Sequence, residues 1–396
     1  MKKILLSLSL LLIVSLSAFA GPSGIQFVHN KKWKDILALA KSQRKAIFLD
    51  AYASWCGPCK YMQENVFTKP MVGQLYNDKF INVKIDMEEG EGPELAKLLN
   101  IEAYPTLLFI NEKGEVLHKS VGALNPVAFV ELARVALDPS KQFYTQMRRA
   151  EKGKLTPKAF HSWLAEAEKL DNGAIDSTVS RYLRNVSYPL LDSDMVHILV
   201  DYARTPTREQ VDFLFSHRDD VARILRLNSA ELERSLLRRL RAYALNLSAV
   251  SDSLDFHMFE GIVQRYAPAS AWVETEKLRS NWAFTSENDD AGVSALLTLL
   301  NRPNSGLYAE DLADIFLEHA NRIAPHPRAA EVATATKAFV PRSDETKLYY
   351  RDLALLVLYL KQRDAAGIRS YAKTLYDNPQ VPEELRERIK DLRDYE

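Results

Sequence analysis

Cysteine is nearly absent from this chain: its 396 residues include two, Cys56 and Cys59. Exported domains braced by disulfides carry even sets of cysteines spread along the sequence. Here a bridge would close so short a loop that it would remove little entropy from the unfolded chain, so bracing explains little. Zinc would need two further ligands, and the 8 histidines are scattered singly. Net charge is lacking as well, with 52 basic against 52 acidic residues, which argues against nucleic acid as a partner because that demands a strong cationic footprint. No glycine-rich turn opens a helix after a strand, so nothing supplies a nicotinamide or flavin site. Beyond the first 20 residues no apolar run is long enough to span a bilayer, the best being the 8 residues Leu353 to Leu360.

The one long apolar stretch stands at the start. Met1-Lys2-Lys3 is basic, Ile4 to Leu16 is apolar apart from Ser7, Ser9 and Ser15, and Ala18-Phe19-Ala20 before Gly21 has the small residues of a cleavage site. Residues 1–20 are expected to be a removed secretory signal, giving a periplasmic or secreted protein. An uncleaved anchor is the rival, but it needs about 18 to 20 apolar residues. No cysteine precedes Cys56, so lipid attachment at a mature N-terminal cysteine is excluded. Removal of Lys2 and Lys3 leaves 50 basic against 52 acidic residues, a net near −2.

What is present is concentrated around Trp55-Cys56-Gly57-Pro58-Cys59. Two thiols at this spacing can close a disulfide and reopen it by exchange with a partner. Lys45 to Tyr52 is rich in β-branched and aromatic residues and suits a buried strand. Pro58 fits the first turn of a following helix, where its missing N–H is no loss. Cys56 then sits at a helix N-terminus, whose free amides favour thiolate and lower a thiol pKa ordinarily about 8.5. Cys59, a turn further in, is expected to be buried and protonated. Phe80 to Asp86 reads as a second strand, Pro93 to Asn100 as a short helix, and Thr106 to Ile110 as a third strand. The turn Asn111-Glu112-Lys113-Gly114 leads into Val116-Leu117-His118 as a hairpin mate, and Asn125-Pro126 opens a closing helix through Leu137. Strands alternating with helices and ending in a hairpin give an α/β sandwich of about a hundred residues.

Phe48-Leu49-Asp50, Trp55 to Lys60 and Ala103-Tyr104-Pro105-Thr106 occur in the order seen in the thioredoxin family, and residues 25–138 resemble a thioredoxin-fold domain. Within that family the chain is most similar to exported bacterial thioredoxin-like proteins and to the reductase domains of transmembrane thiol carriers. The resemblance implies that Cys56 attacks a substrate disulfide and that Cys59 resolves the mixed disulfide, so the dithiol is the only redox group and no cofactor is needed. It implies that Asp50 is a buried carboxyl taking the Cys59 proton, against the simpler reading of an ordinary strand-end aspartate. Pro105 would be a cis-proline that leaves the backbone before it free to pair with an extended substrate. Trp55, Gly57, Pro58 and Tyr104 would face the substrate.

Departures are visible. The family often pairs the buried acid with a lysine on the neighbouring strand; the aligned position reads as Asn82, with Lys84 two residues on. Tyr104 is bulkier than the usual aliphatic residue. Glu88-Glu89-Gly90-Glu91-Gly92 is an added loop whose simplest reading is solvated surface. Gly57-Pro58 matches the reducing members, whose potentials lie at about −270 mV against about −120 mV for strong oxidants. A reductase of protein disulfides is the expectation. In an oxidising compartment it would draw electrons from a membrane thiol carrier.

The rest, 139–396, changes character: only 6 of 14 glycines follow Leu137, and helical periodicity replaces alternation. Thr156-Pro157 starts a helix with Phe160, Trp163, Leu164 and Ala167 on one face, and Asp171-Asn172-Gly173 stops it. Thr207 and Gln210 form a capping box. Leu232, Leu236, Leu240 and Tyr243 make a further stripe, as do Leu312, Ile315, Phe316 and His319, the last read as a core histidine. Thr346 to Lys361 and Asp364 to Tyr376 form a helical hairpin that faintly resembles a tetratricopeptide unit, although the small and aromatic residues of that consensus recur too poorly to define an array. Arginines 218, 223, 226, 234, 238, 239 and 241, interrupted by acids, read as solvated helix faces. The expected organisation is a signal at 1–20, a thioredoxin-like domain at 21–138 and an all-α domain at 139–396. A second functional reading makes the helical part a client-binding scaffold, with the first domain serving for docking. Nothing in the sequence indicates the oligomeric state.

Overall fold

The computed structural model describes residues 24–29, 31–187, 189–251, 253–341 and 347–395, with the Asn172 side chain not described. The expected signal at 1–20 and Thr346 lie outside the described residues. By its internal contacts the chain divides into two compact units, Met1–Tyr188 and Pro189–Glu396.

In the first unit, α1 (Trp33–Gln43) leads into β1 (Ala46–Tyr52). There follow α2 (Gly57–Tyr61), continued by a π-helical turn over Met62–Val66, then α3 (Pro70–Lys79), β2 (Phe80–Asp86) and α4 (Gly92–Leu98). A hairpin of β3 (Thr106–Ile110) and β4 (Val116–Val121) and the closing α5 (Pro126–Leu137) complete the sandwich. The four-stranded sheet has the order β2-β1-β3-β4, with β1 parallel to β2 and the other pairs antiparallel. Alternation along β1 feeds two cores. Phe48 joins Met62, Val66, Tyr76, Phe109 and Phe129 on one face, while Ile47, Leu49 and Ala51 join Ile36, Val83, Leu95 and Leu108 on the other. The β1, β2 and β3 spans match their sequence signals to within a residue. The short helix begins at Gly92 and ends at Leu98, and β4 runs three residues past His118.

Three more helices belong to this unit: α6 (Phe143–Glu151), α7 (Pro157–Leu170) and α8 (Ile175–Asn185). The switch from strands to helices near residue 138 is therefore not where the chain parts into compact units. The sequence signal there is compositional, whereas packing decides the division. The Phe143 amide donates to His118 Nδ1 (3.2 Å), and Arg148 donates to the Val116 carbonyl (3.0 Å), tying α6 to β4. Trp163 donates to the Phe143 carbonyl and stacks on its ring, and Phe160, Leu164 and Ala167 are buried as their spacing predicts.

The second unit is helical, from α9 (Ser193–His197) and its π-helical continuation to α20 (Glu383–Ile389), with a two-residue hairpin at Ala249–Val250 and Ser253–Leu254. The capping box of Thr207 and Gln210 is formed. The C-terminal hairpin pairs Tyr349–Gln362 with Ala365–Asp377. His319 stacks on the Phe284 ring, and burial lowers its pKa, in keeping with a core residue. The reading of the arginines as solvated faces is corrected at the long helix Ser229–Ser248. Arg239 is buried and donates to the carbonyls of Asp201 and Ala203. Arg241 pairs with Glu274 and Asp311, which Lys277 also bridges at 3.0 and 2.7 Å. Charge interspersed along a helix does not say which residues turn inward, and these arginines fill holes between helices. No helix among the described residues is long and apolar enough to cross a membrane.

Candidate redox site

Cys56 and Cys59 are joined in a disulfide with their Cα atoms 5.3 Å apart. Cys56 is the N-cap of α2: its backbone is extended, Pro58 follows in the first turn, and its sulfur accepts the Cys59 N–H at 3.1 Å. That amide and the helix terminus favour negative charge on the Cys56 sulfur once the bridge is opened. Both cysteines are 2% exposed, so Cys59 is buried as expected and Cys56 is buried with it in the disulfide form. Position separates them instead, because Cys56 alone caps the helix.

The cis peptide expected at Pro105 is present, between Tyr104 and Pro105. Tyr104 packs against the cluster of Ala53, Cys56 and Cys59, and its ring meets that of Trp55 edge-on at 6.0 Å. Trp55 is 67% exposed, and Gly57 and Pro58 are exposed beside it, so these four residues make the surface around the disulfide.

Asp50 is fully buried on β1, on the same face as Phe48 and therefore on the side that α2 and its continuation cover. Burial raises its carboxyl pKa to about 7, against the opposing pull of the Lys84 charge. Neither carboxyl oxygen has a hydrogen-bond partner. An acid kept inside without a donor is costly to bury, which makes Asp50 a candidate for a proton-handling role. The alignment on Asn82 is corrected by the ladder: Lys84 stands opposite Asp50, and Asn82 opposite Phe48.

Sequence reasoning missed the contacts of two regions. The acidic loop is not merely solvated: Glu88 accepts the Trp55 indole N–H at 2.8 Å, and Glu91 accepts the Trp33 amide at 2.9 Å. Gly90 has a positive φ, and a side chain at Gly92 would strike the Asp86 carbonyl, so the two glycines let the loop fold back over the end of β2. Their spacing was the available signal. In the second region the Lys84 ammonium donates to Gln63 Oε1, a contact for which no local sequence signal exists.

A thioredoxin-like family model matches residues 29–112. Thioredoxin H2-1 of Oryza sativa subsp. japonica is 38% identical over 104 residues, 26% of this chain and 70% of the rice protein. The thiol:disulfide interchange protein DsbD of Actinobacillus pleuropneumoniae is 36% identical over 84 residues, 21% of this chain and 14% of that one. A solved disulphide-isomerase candidate from Bacteroides thetaiotaomicron has 39% identity and covers 30% of this chain and 98% of its own, with a TM-score of 0.28.

Proposed function

The chain belongs to the thioredoxin family through its N-terminal part and is a thiol-disulfide oxidoreductase; from that premise we propose that it is an exported reductase of protein disulfides. The observation that carries the reading is the unpartnered, buried Asp50 with its raised pKa, on the sheet face beneath the helix that holds Cys56 and Cys59.

The reaction starts from the dithiol. The Cys56 thiolate attacks one sulfur of a client disulfide; the Cys56–client bond forms, the client bond breaks, and the second client sulfur leaves as a thiolate and takes a proton from water. Cys59 then attacks the Cys56 sulfur while its own thiol proton passes to Asp50. The client's remaining thiolate is released with the bonding electrons, and two electrons have moved from the dithiol to the client. The cis-proline turn at Tyr104-Pro105 offers main chain to an extended client segment in the manner of strand addition, and Trp55 and Tyr104 offer rings to its side chains. The spent disulfide needs a dithiol donor. A membrane thiol carrier fits, supported by the similarity to thiol:disulfide interchange proteins. The helical unit would select or position clients.

Insulin reduction by the purified chain tests the reading. Wild type is expected to turn over with a dithiol donor, and Cys56→Ser to be inactive; equal inactivity of both would leave only client binding. Equilibration with a glutathione buffer tests direction: a potential near about −270 mV is expected, and one near about −120 mV would make the protein an oxidant.

A further inference from the structure

A lysine stands directly across the ladder from Asp50, yet the carboxyl oxygens have no hydrogen-bond partner. The Lys84 ammonium is turned elsewhere. It donates to Gln63 Oε1 and lies 4.3 Å from the centroid of the Tyr52 ring. Gln63 comes from the π-helical turn after α2, which carries Met62 and Val66 into the core and leaves Gln63 on the surface. A cleft of about 430 Å³ is bounded by Gln63, Lys84, His29, Phe67 and Thr68.

Resting on the assignment of Asp50 as acceptor of the Cys59 proton, we propose that Gln63, with the Tyr52 ring, is a positioning residue that holds the Lys84 ammonium off the buried carboxyl and so keeps Asp50 able to take up a proton. An opposite charge in direct contact favours carboxylate by about one to three pH units. A carboxylate so stabilised would be a poor acceptor when Cys59 attacks, the Cys59–Cys56 bond forms and the client sulfur departs with its electron pair. Held by Gln63, Lys84 lends positive charge from a distance without a bond. The other titratable groups near this pair are Asp86 at the end of β2 and Tyr52 on β1, which Glu89 of the loop beyond also influences, with His29 lining the cleft. Cys59 of α2 and its N-cap Cys56 do not titrate while joined.

The test follows the Asp50 carboxyl carbon by NMR in the oxidised, full-length protein labelled at aspartate, the resonance being identified by its loss in Asp50→Asn. Gln63→Ala should lower the midpoint by about one pH unit, a tenfold loss of proton affinity, as the freed ammonium swings to the carboxyl. Gln63→Glu should raise it, because a negative charge then binds the ammonium and faces Asp50. Both changes fall on the surface, where the fold tolerates them. A midpoint that stays put, or moves the same way in both variants, overturns the proposal while leaving the acceptor role of Asp50 intact. Insulin reduction against pH separates the two: a profile unchanged by Asp50→Asn removes the acceptor role and with it the purpose assigned to Gln63.

Discussion

Both compact units bury charge, and they treat it in opposite ways. In the helical unit Glu274 is 3% exposed, but Lys277 and Arg241 meet its two oxygens, and Asp311 closes the set. In the redox unit Asp50 is fully buried and neither oxygen has a hydrogen-bond donor. A paired set ties three helices together; each member is the reason the others can be inside. A lone acid contributes nothing of that kind, and the proposed role of Asp50 as acceptor of the Cys59 proton gives its burial a purpose. The lesson is that burial of charge is uninformative until partners are counted.

The contrast can be broken most forcefully at Lys277. Lys277→Met strands Glu274 and Asp311 beside each other, with Arg241 alone to offset them. It should destabilise by about 3–5 kcal/mol in urea titrations of the full chain. Removing the lone acid should do the reverse. The Asp50 pKa rises from 3.8 to about 7 on folding. Between those values the folded form holds a proton that the unfolded form has lost, so stability falls as pH rises through that window. At pH 8 Asp50→Asn should therefore stabilise by about 3–4 kcal/mol and flatten this limb. A destabilised Asp50→Asn would show that the carboxyl has an architectural role after all.

His118 sharpens the comparison with a buried base in the same unit. Burial lowers its pKa from 6.5 to about 4, and its Nδ1 must stay unprotonated to accept the Phe143 amide. Here the unfolded form holds the extra proton, so stability is full above pH 6.5 and is lost as pH falls toward 4, by about 2–3 kcal/mol. His118→Asn, which keeps an acceptor without titrating, should remove that slope. The smallest effect is expected at Glu88. Losing its exposed bond to Trp55 in Glu88→Ala should raise KM for insulin about threefold with kcat unchanged, read from initial rates.

Much of the redox unit was legible because its signals are local. Phe80 to Asp86 and Thr106 to Ile110 are short apolar runs bounded by turn residues, and their spans needed no tertiary knowledge. Cys56 and Pro58 were legible because helix capping constrains residue type directly, and Pro105 through the resemblance to the thioredoxin family. The partner of Asp50 was not, since parallel pairing joins segments some thirty positions apart and a two-residue offset in alignment separates Asn82 from Lys84. Nor was Gln63, which reaches Lys84 only through the wide turn after α2. The inward arginines of the helical unit were hidden for a related reason: the partners of Arg239, two backbone carbonyls, and of Arg241, two acids, sit outside their own helix, beyond any periodicity within it.

The tie between α6 and β4 has a practical consequence for anyone trimming the protein. Strand β4 closes one side of the sheet, and Arg148 satisfies its Val116 carbonyl from α6. A fragment ended after Leu137 would strip that cover and present a bare ribbon edge, the kind of surface on which separate copies zip together. A cut at Pro189 instead keeps α6 and its Arg148 bond on that strand.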